Sequence, residues 1–173
     1  SSYNGTNYLW LFNDPNNPGA SATGQNPTYT FTDTGTYTIQ LILNPGYPCT
    51  DTAEVTYELY NPVNPAYSYS GPVCFDENLI TFQNQSSNGG NAVANWDFGA
   101  DASIQTFTGW NPPPIVFSTW GDHYVSLTVE ENGCEDNFLD TVRIYRRPET
   151  NVSVENQVGC APFTVEFWDS TIT

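Results

Sequence analysis

The chain has 173 residues, with 19 acidic side chains against three basic ones, all arginine, for a net charge of −16. Nothing in it can neutralise a phosphate backbone, which excludes nucleic-acid binding, and the same charge disfavours docking on anionic lipid heads. No apolar run approaches the ~20 residues that span a bilayer, so no direct membrane insertion is expected, and an aromatic content of 15% in alternating runs excludes a disordered chain.

Tyr8-Leu9-Trp10-Leu11-Phe12 alternates, which places Tyr8, Trp10 and Phe12 on one face of a strand. Asn13-Asp14-Pro15-Asn16-Asn17-Pro18-Gly19 is dense in turn formers. Thr28-Tyr29-Thr30-Phe31 reads as a strand, and Asp33-Thr34-Gly35 turns into a long strand over 36–44. Asn44-Pro45-Gly46-Tyr47-Pro48 is a turn, and Val55, Tyr57 and Leu59 mark the next strand. Strands are expected again at 66–69 and around Ile80 and Phe82, with a loop at 88–91. Then the pattern repeats. Ala94, Trp96 and Phe98 follow Tyr8, Trp10 and Phe12 by 86 positions, as Ile115-Val116-Phe117 follows Tyr29-Thr30-Phe31. The strand 121–129 follows the Gly35 strand at the same offset, with Val125, Leu127 and Val129 in the places of Ile39, Leu41 and Leu43. Val142 and Ile144 match Tyr57 and Leu59 at 85. No helical period appears.

A fixed offset of this length means tandem modules. The boundaries it sets are 1–62, a module lacking its first strands; 63–148, a complete module; and 149–173, the start of a third, where Cys160 matches Cys74 and Val165-Glu166-Phe167 matches Ile80-Thr81-Phe82. Short strands with regular turn signals point to antiparallel immunoglobulin-like β-sandwiches. Proline-bearing junctions, Asn61-Pro62-Val63-Asn64-Pro65 and Arg146-Arg147-Pro148-Glu149, are stiff spacers and suggest a rod-like array. The chain has neither a signal peptide nor an initiator Met, so a piece of a longer secreted polypeptide is expected.

The repeat orders the four cysteines. Cys49 and Cys134 both precede the last strand of a module, and Cys74 and Cys160 both precede the second. Only Cys74 and Cys134 share a module, so a Cys74–Cys134 disulfide is expected, with Cys49 and Cys160 pairing to cysteines outside the chain. The competing reading is four reduced, buried thiols. No CxxC or CxxH spacing supports metal ligation.

The other candidate sites are few. Trp10 and Trp96 sit mid-strand as core anchors. Trp110 and Trp120 fall outside the alternation; Trp110 heads a proline-rich run that reads as wall packing or as an aromatic platform for sugars. His123, the sole histidine, lacks a nucleophile and an orienting partner, and its repeat counterpart is Tyr37, so a structural role is expected. Asp97, Asp101, Asp136 and Asp140 are candidate calcium ligands, the only cofactor the sequence suggests, against the reading of solvated surface acids. The three arginines, Arg143, Arg146 and Arg147, cluster at the second junction, where Glu149 or Glu155 would be their partners. Asn84-Gln85-Ser86 is one of three matches to the N-glycosylation pattern. No catalytic constellation is present, and no enzyme is expected within the chain.

Trp96-Asp97-Phe98-Gly99-Ala100-Asp101, a proline-rich strand near Pro114 and then Gly121-x-x-x-Val125-x-Leu127-x-Val129 resemble the PKD (polycystic-kidney-disease) domain, with its W-D-F-G-D-G turn and G-x-Y-x-V-x-L-x-V strand. The resemblance covers the second module, most of the first and the start of the third. It departs at Leu11, which stands for the aspartate after tryptophan, at Ala100 within G-D-G, and at His123 in the tyrosine place. Lysine-poor, cysteine-bearing tandem modules of this kind are similar to giant surface adhesins of gliding bacteria exported by type IX secretion. That resemblance implies an extracellular, non-catalytic stalk or filament serving adhesion and gliding motility. Its partners would be neighbouring repeats, and surface glycans or other cell-surface proteins. It also implies O-glycosylation acceptors at Thr52, Thr141 and Ser170, with Thr52 and Thr141 at equivalent module positions; polar turns entering a strand are the bland alternative. The other functional reading is an accessory PKD-like module of a secreted polysaccharide- or protein-degrading enzyme.

Overall fold

The structure is a computed structural model that describes residues 6–87, 90–155 and 158–172. The chain divides into two compact units, residues 1–61 and 62–173. The loop expected at 88–91 falls partly on residues 88 and 89, outside the described residues.

Unit 1 is one antiparallel sheet of β1 (Tyr8–Leu11), β2 (Ser21–Thr23), β3 (Gly35–Leu43) and β4 (Asp51–Leu59), in the order β2-β1-β3-β4. The strand expected at 28–31 is absent. Its aromatics turn inward from an irregular segment instead, Tyr29 stacking on Phe12 at 4.2 Å and Phe31 tilting against Tyr37 at 4.2 Å. The edge strand that does form, β2, is short and weakly apolar, so alternation carried no signal for it.

Unit 2 contains β5 (Tyr67–Ser70), β6 (Thr81–Asn84), β7 (Val93–Asp97), β8 (Thr106–Thr108), β9 (Gly121–Glu131), β10 (Cys134–Ile144), β11 (Val152–Val154) and β12 (Phe167–Asp169), with a single 3-10 turn at Phe75–Glu77. A four-stranded sheet, β10-β9-β7-β8, faces the β5–β6 pair. Between them lies a sealed core in which Ile80, Ile115, Val125, Leu127, Val129 and Val142 are fully buried. The fold is an antiparallel β-sandwich, built as the alternation requires: odd positions 123–131 of β9 are buried, Val125, Leu127 and Val129 of them in the core, and even ones are not.

The two four-stranded sheets repeat pair for pair. Tyr8↔Leu43 recurs as Ala94↔Val129, Trp10↔Leu41 as Trp96↔Leu127, and Leu11↔Gln40 as Asp97↔Ser126, all 86 positions on. Beyond the β3–β4 turn the offset becomes 85, so Tyr37↔Tyr57 recurs as His123↔Val142. Gly35 and Gly121 open the equivalent strands with φ of +149° and +122°, a region that residues with a side chain rarely adopt. Asn132 and Gly133, at φ +52° and +79°, make the two-residue β9–β10 hairpin. Unit 1 spans the same place with a longer loop, which accounts for the lost position.

The last strand pair repeats an earlier one too. Val152↔Asp169, Ser153↔Trp168 and Val154↔Phe167 reproduce Tyr67↔Asn84, Ser68↔Gln83 and Tyr69↔Phe82 at an offset of 85. The isolated bridge Glu149↔Ile172 likewise reproduces Asn64↔Ser87.

Candidate functional site

Since the repeat equates the two sheets, their inner faces can be compared residue by residue. In unit 2 the β5–β6 pair lays Phe82 and Tyr67 across the sheet. Phe82 is 1% exposed and meets Trp96 at 5.9 Å and Phe98 at 5.1 Å between ring centres. The Tyr67 hydroxyl donates to the Val125 carbonyl at 2.9 Å. Burial pushes its phenol well above the usual range, and the Asp140 carboxylate adds to the shift.

Unit 1 has no such cover among the described residues. Trp10, Phe12, Tyr29, Phe31, Ile39 and Val55 instead line an open aromatic groove of about 340 Å³. Tyr57 is 55% exposed, whereas its counterpart Val142 is 0% exposed. The groove floor is firmly built. The Trp10 indole donates to the Gly24 carbonyl at 3.1 Å, as Trp96 does to Gly109 at 3.1 Å. Asp14, buried at the rim, accepts from the Tyr29 hydroxyl at 2.8 Å and from the Asn16 amide at 2.9 Å. That hydrogen bond pushes the Tyr29 phenol up.

His123 occupies a packing slot. Its ring stacks on Phe117 at 4.2 Å, the counterpart of Tyr37 on Phe31. Its Nε2 lies 3.0 Å from the Thr119 carbonyl, which can only accept, so Nε2 carries the proton. The Tyr37 hydroxyl makes the equivalent bond to the Asp33 carbonyl at 2.8 Å. His123→Tyr is therefore expected to keep stability within about 1 kcal/mol of the parent, checked by thermal melting at several pH values. A large loss would mean that the imidazole has a role beyond this slot.

The Cys74–Cys134 disulfide is corrected by the length of one strand. Cys74 pairs with Tyr145, just beyond the end of β10, while Cys134 begins β10. At ~3.4 Å per residue the two cysteines stand roughly 35 Å apart, against the ~7 Å limit of a disulfide. All four cysteines are free thiols; Cys49, Cys74 and Cys160 are exposed, which also corrects the reading of four buried thiols.

The calcium set does not converge. Asp136 and Asp140 lie four residues apart on β10, about 13 Å along the strand. Each carboxylate accepts from the amide that follows it, Asn137 or Thr141. Asp97 accepts from the Gly99 amide and Asp101 from the Thr119 hydroxyl. Among the described residues no group of three or more His, Cys, Asp or Glu side chains is placed to hold a metal ion.

The glycosylation candidates lose their equivalence. Thr52 faces Ile42 and its counterpart is Asn137, which faces Thr128. Thr141, facing Tyr124, is four residues further along the strand. Thr52 and Ser170 are exposed and Thr141 is half-buried. At the Asn84 sequon the Nδ2 atom, the point of attachment, is buried.

Two of the three arginines find partners within their own module. Arg147 meets Asp76 at 3.5 Å and Arg143 meets Asp122 at 3.2 Å, in place of the Glu149 or Glu155 contacts expected. Trp110 packs on the core, while Trp120 is 59% exposed. Asn78, which no sequence motif marks, is 4% exposed and bound to the backbone of Phe75 and Phe117.

Both four-stranded sheets thus carry a tryptophan on the strand next to the edge, hydrogen-bonded to the carbonyl just beyond the edge strand. Residues 1–58 match the PKD domain family. The match covers the groove-bearing sheet of unit 1, and unit 2 repeats the paired strands of that sheet in the same order. No curated protein matches the chain. PKD domains are non-catalytic modules of extracellular and surface proteins, typically serving binding or adhesion.

Proposed function

We propose that the chain is a structural segment of a secreted bacterial cell-surface adhesin, a stalk or filament built of PKD-like repeats and serving adhesion and gliding. The observation that supports this reading is the recurrence of both halves of one sandwich plan, the four-stranded sheet twice and the two-stranded pair twice, down to the partner of each paired strand residue. Repetition of a scaffold without repetition of a polar site suits a spacer. The charge of −16 with no lysine suits a solvated outer surface. In this reading Cys74 and Cys134, at opposite ends of one module, take partners from polypeptide beyond this segment, as expected for Cys49 and Cys160.

The test is to label intact cells with antibody to this segment and image the full-length protein. Surface filaments are expected, lost on mild external proteolysis; retention inside the cell overturns the reading. Exposed Trp120 and Trp168, at 59% and 54%, favour one alternative, an accessory module that presents aromatics to polysaccharide. A pull-down on insoluble polysaccharide distinguishes it: retention abolished by alanine at those two positions supports the accessory module, and no retention removes it.

A further inference from the structure

β10 is an edge strand of the sandwich that its own β5–β6 pair closes, and the direction of its free backbone groups follows from the ladder. The Gly109 amide donates to the Ala94 carbonyl and the Phe98 amide to the Gln105 carbonyl, so the even residues of β7 bond towards β8. Its odd residues therefore bond to even residues of β9, and odd residues of β9 to even residues of β10. The amides and carbonyls of Glu135, Asn137, Leu139, Thr141 and Arg143 are left pointing out of the sheet. Just beyond them Tyr145 turns the same groups on Val73 and Phe75, which fixes the direction.

Such an edge is a template for another strand. Two of its outward amides are already taken by side chains of the same strand. The Asn137 amide donates to Asp136 Oδ1 at 2.8 Å and the Thr141 amide to Asp140 Oδ1 at 2.7 Å. We propose that Asp136 and Asp140 guard the β10 edge against antiparallel pairing with the β10 edge of a second copy of this chain.

The strand is self-complementary about Leu139, which makes a second copy the partner to be kept off. With Leu139 opposite Leu139, Glu135 meets Arg143, Asn137 meets Thr141, and the two Leu139 side chains, each 59% exposed, meet on the outer face. Opposite charges at both ends favour that register. In the same register Asp136 faces Val142 and Asp140 faces Phe138. Both aspartates share the core side of the strand with these apolar residues. Pairing would strip each carboxylate of its amide and press it against an apolar neighbour, where it has no partner. Charges that point inward from an edge strand are a known bar to pairing. The same bond recurs on β4, the strand equivalent to β10: the Thr52 amide, turned outward by the same ladder parity, donates to Asp51 Oδ1 at 2.9 Å. Two of the four aspartates in the calcium set thus have a role that needs no metal.

The inference goes beyond the surface-segment reading and can fail without it: a variant that does not pair leaves that reading standing. The test is sedimentation equilibrium with reductant, with residue-by-residue amide exchange, on the parent and on the double variant Asp136→Ala/Asp140→Ala. In the parent the Leu139 amide should exchange freely at every concentration. The double variant should associate about a hundredfold more tightly than the parent, since pairing no longer breaks two hydrogen bonds to charged groups. Its Leu139 amide should gain protection as concentration rises. Threonine at both positions, a better strand former, should act likewise and covers the case of an alanine variant that does not fold. Glu77→Ala/Glu166→Ala removes the same charge from exposed positions off the edge and should behave as the parent. Leu139→Pro, added to the double variant, removes only an outward amide and should restore the parent's behaviour. Folded variants that associate no more than the parent, association without protection at Leu139, association undiminished by Leu139→Pro, or a parent already protected at Leu139 would each overturn the proposal.

Discussion

Phe82→Ala is expected to destabilise unit 2 by about 3–5 kcal/mol, the range for deleting a buried phenyl ring. Phe82 is 1% exposed and touches Tyr67, Trp96 and Phe98, so the loss is spread over the ring cluster that joins the two sheets. Its neighbours are held in place: Trp96 by its bond to Gly109, Tyr67 by its bond to Val125. They have little freedom to collapse into the gap, which puts the cost towards the upper end of the range. At roughly 4–8 °C per kcal/mol in a domain of this size, the transition of unit 2 should fall by about 12–40 °C. Calorimetry on the full chain, with amide exchange in β9 and β10 as the local readout, measures it. Exchange in β3 and β4 should be unchanged, because Phe82 packs within the core of unit 2. A shift within the scatter of surface substitutions would mean that β5–β6 does not hold the sandwich closed.

That contrast bears on what could be read from the sequence. The 86-position offset was visible in Gly35 and Gly121, in Trp10 and Trp96, and in the apolar alternation that follows. Those residues fix which face of each strand is inward, and the sheets are built on them. What the offset does not carry is distance. It shows that Cys74 and Cys134 occur once each in a module, but not that an 11-residue strand separates them. Sequence equivalence is a statement about order, whereas a disulfide is a statement about ångströms. Nor does a shared three-residue pattern carry register. Thr52 and Thr141 stand 141 − 52 = 89 positions apart, whereas the paired strands beyond the hairpin repeat at 85, so the counterpart of Thr52 is Asn137.

Asn78 was illegible for another reason. A lone asparagine between Glu77 and Leu79 looks like any polar loop residue, and burial by distant segments leaves no local trace. Its amide donates to the Phe75 carbonyl at 2.6 Å and the Phe117 carbonyl at 3.1 Å, and its Oδ1 accepts from the Phe117 amide at 2.7 Å. The side chain thus acts as one rung of sheet, satisfying both backbone groups of Phe117 where no strand reaches them. Asn78→Ala leaves those groups without a partner, at about 1–3 kcal/mol for each buried unsatisfied group, and an overall loss of about 2–4 kcal/mol is expected. Asn78→Asp separates hydrogen bonding from packing, since its shape is nearly the same. At neutral pH the carboxylate still accepts from Phe117 but turns an oxygen towards two carbonyls, so this variant should be at least as unstable as alanine. Protonation restores a donor, so the folded state should hold its proton more tightly than the unfolded chain, whose aspartate titrates near ~4. A raised folded value makes the stabilising contribution complete below that pH and lost as pH rises through the folded value. The aspartate variant should therefore gain stability relative to the parent on acidification, read as converging denaturant midpoints. A gap between the two that is constant with pH, or an aspartate variant as stable as the parent at neutral pH, would show that the Nδ2 bonds to Phe75 and Phe117 contribute nothing and that Asn78 only fills space.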